Sequence, residues 1–209
     1  MEHDAKITLS ASEMELVCHT DWILTKHAVI EKVYKLLGNA AAHMQYFVNN
    51  NKTNLPEPVR QSTPKISKGE NYLQLPYVML DYPRHFEKEN TVAIRTFFWW
   101  GNFFSITLQL AGTYKAQYLP ALQDNFESLQ QQDFFVCTGA DAWQHHFNDT
   151  NYTSLNQINA VDFWAILQRG DFVKIAAMLP LKDWEKAQGF IEATFETLLA
   201  LLCPQAPRR

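Results

Sequence analysis

The residues that come nearest to a chemical constellation lie between Cys137 and His146. On a helical turn Asp141 and His145, four positions apart, share one face. A carboxylate that orients an imidazole beside a thiol is the arrangement of an activated nucleophile or of an acid–base pair, with His145 or His146 as the base. The Cys137 loop lacks the arginine six positions on that a phosphate-cradling cysteine loop needs, because Trp143 stands there. The competing reading is structural: a surface helical turn following a buried free cysteine.

The second group is Arg95 and the aromatic residues around it. Thr91 to Trp100 and Phe103 to Ala111 are β-forming runs separated by Gly101-Asn102, a hairpin signal because Gly supplies the positive φ of a two-residue turn. If Trp100 pairs with Phe103, one face carries Ala93, Arg95, Phe97, Trp99, Phe104, Ile106, Leu108 and Leu110, with Arg95 opposite Leu108. A guanidinium on an apolar face must be paired, must snorkel, or must border a cavity. Asp81 on the neighbouring run is the candidate partner. The alternative is a pocket-lining Arg95 that clamps an anionic ligand. The opposite face gathers Phe98, Trp100 and Phe103 at the turn end. Such a patch is covered by helices of the same chain, meets a partner subunit, or lines a ligand groove. Arg95, Trp99, Trp100, Phe98 and Phe103 are therefore the candidate ligand- or partner-binding residues.

Other chemistries leave no trace. His19, His27, His43 and His85 are scattered without a spacing that puts two ring nitrogens on one metal, so no metal ligands are expected. With seven glycines, neither phosphate-binding glycine pattern occurs, and G-x-S-x-G is missing too, so no cofactor is expected. Lys plus Arg is 18 against 22 Asp plus Glu, a formal charge of −4, which lacks the basic excess that nucleic acid demands. The odd count of three cysteines, Cys18, Cys137 and Cys203, without C-x-x-C spacing, points to a reducing compartment. The acidic start Met1-Glu2-His3-Asp4 is unlike a signal peptide, and the expected location is the cytoplasm. The N-x-T triplets at Asn51, Asn148 and Asn151 are then coincidental. Thr96 to Tyr114 has no charge over 19 positions, but Ser105, Thr107 and Gln109 alternate with a strand's period of two, so it is read as sheet and not as a membrane span.

The elements that must position these residues follow from patterning. Ser10 or Ser12 three residues before Glu13 or Glu15 is a capping box that starts a helix near residue 12. Val29, Val33, Leu36, Ala40, Met44 and Phe47 form the stripe of a long second helix ending at Asn49-Asn50-Asn51. Residues 50–70, with Pro56, Pro58, Pro64 and Gly69, read as an irregular loop or linker that carries Lys65 and Lys68. Tyr72 to Tyr82 is a strand in which Pro76 requires an edge or a bulge. A helix within 114–131, a strand Phe134–Thr138, a helical turn about Asp141–Phe147, a loop 148–156, a helix over 158–169 stopped by Gly170, a strand Phe172–Leu179 and an amphipathic C-terminal helix complete the chain.

The 209 residues, 47% of them hydrophobic and 19% charged, suffice for a core without staples. They read as a single α+β domain, an antiparallel sheet with a central hairpin packed against N- and C-terminal amphipathic helices. The expected function is a non-catalytic module that uses its aromatic-rich sheet to bind a small apolar or anionic ligand or a partner, a homodimer included. The alternative is a small-molecule enzyme with Arg95 as anion clamp and Asp141, His145 and His146 as its acid–base group. Neither nucleic acid nor membrane is an expected partner.

Overall fold

A computed structural model describes residues 7–51 and 55–203. The N-terminal residues weighed against a signal peptide, Met1 to Lys6, lie outside them. The capping box forms as its spacing requires: the Glu13 amide donates to Ser10 Oγ at 3.3 Å, and the Ser10 amide donates to Glu13 Oε2 at 2.7 Å. Helix α1 (Ala11–Cys18) starts there, and extended backbone at His19 separates it from α2 (Thr20–Asn50), which ends in the asparagine run. Ile30, Val33, Leu37, Ala40, Ala41, Met44 and Val48 are the buried stripe of α2. Leu36 and Phe47 sit half-buried on its flank, since a 100° step leaves the adjacent position almost as well aimed at the core.

The stretch expected to be irregular contains α3 (Glu57–Gln61) and β1 (Lys65–Tyr72). Lys65 and Lys68 therefore stand on a strand and not in a loop. As the outermost strand of the sheet, β1 needs no apolar face, and its charges suit an edge. It turns into β2 (Leu75–Phe86) through Leu73 and Gln74, at φ 48° and 67°. Two consecutive positive φ values are usually met by Asn-Gly, so no turn signal is visible there in the sequence. Gly69 pairs with Tyr77 and Tyr72 with Leu75, leaving two residues of β1 against Pro76. This is the bulge that the proline requires.

The central hairpin is present, with β3 (Thr91–Trp99) and β4 (Phe103–Ala111), but its register is Trp99 with Phe103. The loop holds three residues: the Asn102 amide donates to Trp99 O at 3.0 Å, with Gly101 at φ 74°. One extra loop residue turns all of β4 over relative to the expected pairing. Arg95 accordingly faces Thr107 and not Leu108.

Then come α4 (Gly112–Asp124), α5 (Phe126–Gln131), β5 (Phe135–Cys137), β6 (Tyr152–Ser154), α6 (Ala160–Gln168), β7 (Phe172–Pro180) and α7 (Ala187–Ala200). Gly170, at φ 58°, stands two residues past α6 where a left-handed residue is expected. The expected helical turn at Asp141–Phe147 is absent, replaced by a turn at Ala142-Trp143 and irregular backbone. The seven strands are ordered β1-β2-β3-β4-β7-β5-β6, antiparallel throughout. The fold is α+β, with helices on the sheet. Among the described residues no helix is long and apolar enough to cross a membrane.

One face of the sheet is apolar apart from the buried Thr96: Val78 and Leu80 of β2, Ile94 and Phe98 of β3, Ile106 and Leu108 of β4, and Ile175 of β7, all at most 1% exposed. It belongs to one continuous core with α2 and α7, where Phe195 stacks on Tyr82 and meets Phe47 edge-on. Among the described residues no long helix covers the other face. Over it runs the 138–151 connection between β5 and β6, and that face carries the polar side chains.

Candidate functional site

Along each strand alternate residues share a face. Arg95, Thr107, Gln109, Lys174 and Cys137 consequently fall on the loop-covered side, together with Asp81 and Tyr152. Asp81 and Phe86 are five apart and would face opposite ways on a regular strand. Between the pairs Asp81–Arg95 and Arg84–Ala93, however, β2 carries one extra residue. That bulge brings Phe86 to the face of Asp81.

Arg95 is fully engaged there. Its Nε donates to Asp81 Oδ1 at 2.7 Å and its Nη2 to Asp81 Oδ2 at 3.1 Å, a bidentate pair with both side chains about nine-tenths buried. Nη1 donates to His145 Nε2 at 3.2 Å. The rings of Phe86 and Trp143 lie 5.8 and 5.6 Å from the guanidinium carbon, and 5.9 Å from each other. Of the three possibilities for Arg95, the ion pair with Asp81 is the one formed.

The guanidinium can only donate, so His145 accepts through Nε2 and carries its own proton on Nδ1. Burial, then the Arg95 and Lys174 cations, push its pKa down to about 2. Its lone pair is committed to Arg95, so of the two candidate bases His145 is not free to take a proton. Asp141 does not orient it: Asp141 Oδ1 accepts the Trp143 amide at 2.8 Å, a local turn in place of the expected shared helical face. The amides of His145 and His146 both donate to Tyr72 Oη, at 2.6 and 3.1 Å, and His146 Nδ1 lies 3.1 Å from the same oxygen. Burial pushes the Cys137 thiol up, and it meets Gly139 O and Asn151 Oδ1, not an imidazole. Asn151 is fully buried and its amide also donates to His146 O at 2.6 Å. It anchors the loop and is closed to a glycan.

The aromatic candidates at the turn end are mostly covered by the chain itself. Phe98 (1% exposed) lies under Trp184 and beside Phe104. Trp99 packs on Tyr72 and donates from Nε1 to its carbonyl at 3.2 Å. Phe103 meets Phe147 of the covering loop. Trp100 is half-buried at the turn. Phe98 and Phe103, placed together by the two-residue register, are on opposite faces.

Lys174, which the sequence reading passed over, is the anomaly of this face. It is 0% exposed and forms no ion pair among the described residues. Its Nζ donates to Gln144 O and sits 5.0 Å from the Tyr152 ring. Burial pushes its pKa down to about 8, with the Arg95 charge adding to the effect. The Tyr152 hydroxyl is buried without a hydrogen-bond partner among the described residues. A signal for Lys174 does exist: it is the lone charge in the run Phe172-Val173-Lys174-Ile175-Ala176-Ala177, the same misplacement that singled out Arg95.

Two openings flank the Gly170–Phe172 turn, and Lys174 itself lines neither. A cavity of about 330 Å³ lies between the start of the covering loop (Cys137–Ala140) and the end of α6 (Ile166, Leu167, Arg169). A wider groove of about 610 Å³ runs between Trp143 and the β2–β3 connection, with Gln109 and Thr91 in its lining. Gln109 pairs with Lys174 across the ladder. Val136 pairs with Ile175, so the next residue, Cys137, is the neighbour of Lys174 on the other side. Each opening thus reaches a residue adjacent to the buried amine. Among the described residues no cluster of three or more His, Cys, Asp or Glu could hold a metal.

The fold and site define an α+β protein with a seven-stranded antiparallel sheet, apolar under its helices and polar under a long loop. The chain matches no family model, no curated protein and no solved structure.

Proposed function

We propose that this protein is a non-catalytic binding module for a small molecule that joins an anionic group to a short apolar body. The ligand occupies the cavity between the covering loop and the end of α6, its apolar part against Ile166 and its anionic group directed toward Lys174. The observation that carries this reading is the fully buried Lys174 amine without a carboxylate partner. A buried cation of this kind costs stability unless something supplies the opposite charge. The cavity volume falls at the lower end of small-ligand sites, and its lining carries one cation, Arg169, beside one carboxylate, Asp171. Cytoplasmic location belongs to the same proposal. Arg95, engaged with Asp81 and His145, lines neither opening and is not the residue that clamps the ligand in this reading.

The test is thermal denaturation and native mass spectrometry of the full chain with straight-chain aliphatic carboxylates of four to eight carbons. The expected result is a carboxylate-dependent rise in Tm and a 1:1 adduct, both lost in Lys174→Met. No stabilisation by any of these acids, or stabilisation that persists in Lys174→Met, overturns the proposal.

A further inference from the structure

Gln109 of β4 is 6% exposed, and Thr91, its diagonal neighbour on the same face of the β3–β4 ladder, is 7% exposed. Neither side chain forms a hydrogen bond among the described residues, whereas the polar groups around them do. Lys115 Nζ donates to Arg169 O and Gly170 O at 2.8 and 2.7 Å, and Asn90 Oδ1 accepts from the amide and the hydroxyl of Thr113, both at 2.9 Å. A carboxamide withdrawn from water without partners destabilises the fold. Gln109 and Thr91 both line the groove of about 610 Å³ beside Trp143, so their unused groups face open space and not the core.

Both walls of this groove are held in place. The β2–β3 connection is fastened by the Glu87 amide, which donates to Asn90 O at 2.9 Å, and by the bonds from Thr113 to Asn90. It lies so close to Gly112, at φ 59°, that a Cβ there would come within 2.1 Å of Glu89 O. The other wall is the Trp143 indole, 56% exposed and packed against the Arg95 guanidinium. Charge and shape then narrow what fits. The lining carboxylates Glu87, Glu89 and Asp171 outnumber Lys88 and Lys115, and the Lys115 ammonium is already spent on two carbonyls. An anionic ligand meets no surplus of positive charge there. An exposed indole takes a flat unsaturated ring. A free carboxamide holds a donor and an acceptor side by side, the complement of the lactam or amidine edge of a nucleobase.

We infer that this groove is a second ligand site, for an uncharged nucleobase, free or as its nucleoside. The base stacks on Trp143 and its hydrogen-bonding edge is read by the Gln109 carboxamide. The site lies across the Gly170–Phe172 turn from the cavity of the proposed carboxylate ligand, and neither Trp143 nor Gln109 lines that cavity. The two sites therefore stand or fall separately.

Isothermal titration calorimetry of the full chain with adenine, adenosine and uridine tests this, with adenosine 5′-monophosphate and glucose as contrasts. The expected result is 1:1 binding of at least one of the first three, weakened about tenfold or more by Trp143→Ala and by Gln109→Leu. Trp143 is exposed, so Trp143→Ala is expected to leave the circular dichroism unchanged. The monophosphate is expected to bind more weakly than adenosine. No binding of any of the three at millimolar concentration overturns the inference, as does binding that survives either variant or binding of glucose with none of the three. A monophosphate that binds more tightly than adenosine also overturns it, because the groove would then recognise the phosphate and not the base.

Discussion

Replacing Lys174 by Met is expected to stabilise the protein at neutral pH. The drop of the Lys174 pKa from 10.5 to about 8, at about 1.4 kcal/mol per unit, means that holding the charge inside costs about 3 kcal/mol relative to the unfolded chain. Methionine fills similar volume without that cost, but it leaves Gln144 O without its donor, a loss of about 1–2 kcal/mol. The net expectation at pH 7 is a gain of about 1–2 kcal/mol, or roughly 2–8 °C in Tm for a domain of this size. The sign then changes with pH. Below pH 8 the native and unfolded chains both hold the proton and the penalty is full. Between pH 8 and 10.5 only the unfolded chain holds it, so wild-type stability climbs relative to the variant by up to about 1.4 kcal/mol per pH unit. Urea denaturation of both proteins at pH 7, 8, 9 and 10 measures this. The variant should lead at pH 7 and lose its lead by about pH 9.5. A difference that stays constant from pH 7 to 10, or a variant more than about 1 kcal/mol less stable at pH 7, would refute the account of Lys174 as a costly uncompensated charge. A residue that weakens the native state in this way is one whose retention calls for a role beyond folding.

The buried pair behaves oppositely. Arg95→Met strands Asp81 in the interior and should cost about 3–5 kcal/mol, most of it recovered when Asp81→Leu is added; a loss below about 1 kcal/mol for the single variant in urea denaturation would contradict the burial described here. His145 is kept neutral with its pKa near 2. Its contribution to stability is complete above pH 6.5 and is lost as pH falls below that value, because the unfolded chain takes up a proton that the native state refuses. Wild-type stability should therefore fall by about 2 kcal/mol more than that of His145→Gln between pH 6.5 and 5. Parallel slopes for the two proteins would show that the imidazole is not held against protonation.

Much of the architecture was legible because it is written in local pattern. The capping box at Ser10 and Glu13, the end of α2 at its asparagine run, the glycine after α6 and the bulge opposite Pro76 depend on a few adjacent residues and on backbone sterics. The paired runs of the central hairpin were legible for the same reason. Edge strand β1 was not, since a strand with one partner and wet faces has no apolar alternation to display. Strand β6, three residues long, is shorter than any period can reveal. At the site, the misplacement of Arg95 and its pairing with Asp81 could be read from a single charge in an apolar run. Lys174 carried the same mark. That His145 approaches Arg95 while Asp141 turns away could not be read, because the covering loop follows no repeating geometry.

What the sequence determined by itself is the composition of each strand: which positions alternate, and that charges stand where apolar residues were due. What only the tertiary structure decided is which side chains share a face. That choice hangs on single-residue offsets, a third residue in the Trp100–Asn102 loop and one extra residue between Asp81 and Arg84. A strand has period two, so one residue more or less inverts every side chain beyond it. Whether such a residue is accommodated depends on both layers at once. The helices select the fully apolar face of β4, and that selection leaves Ser105, Thr107 and Gln109 beside Arg95 and Lys174 beneath the loop.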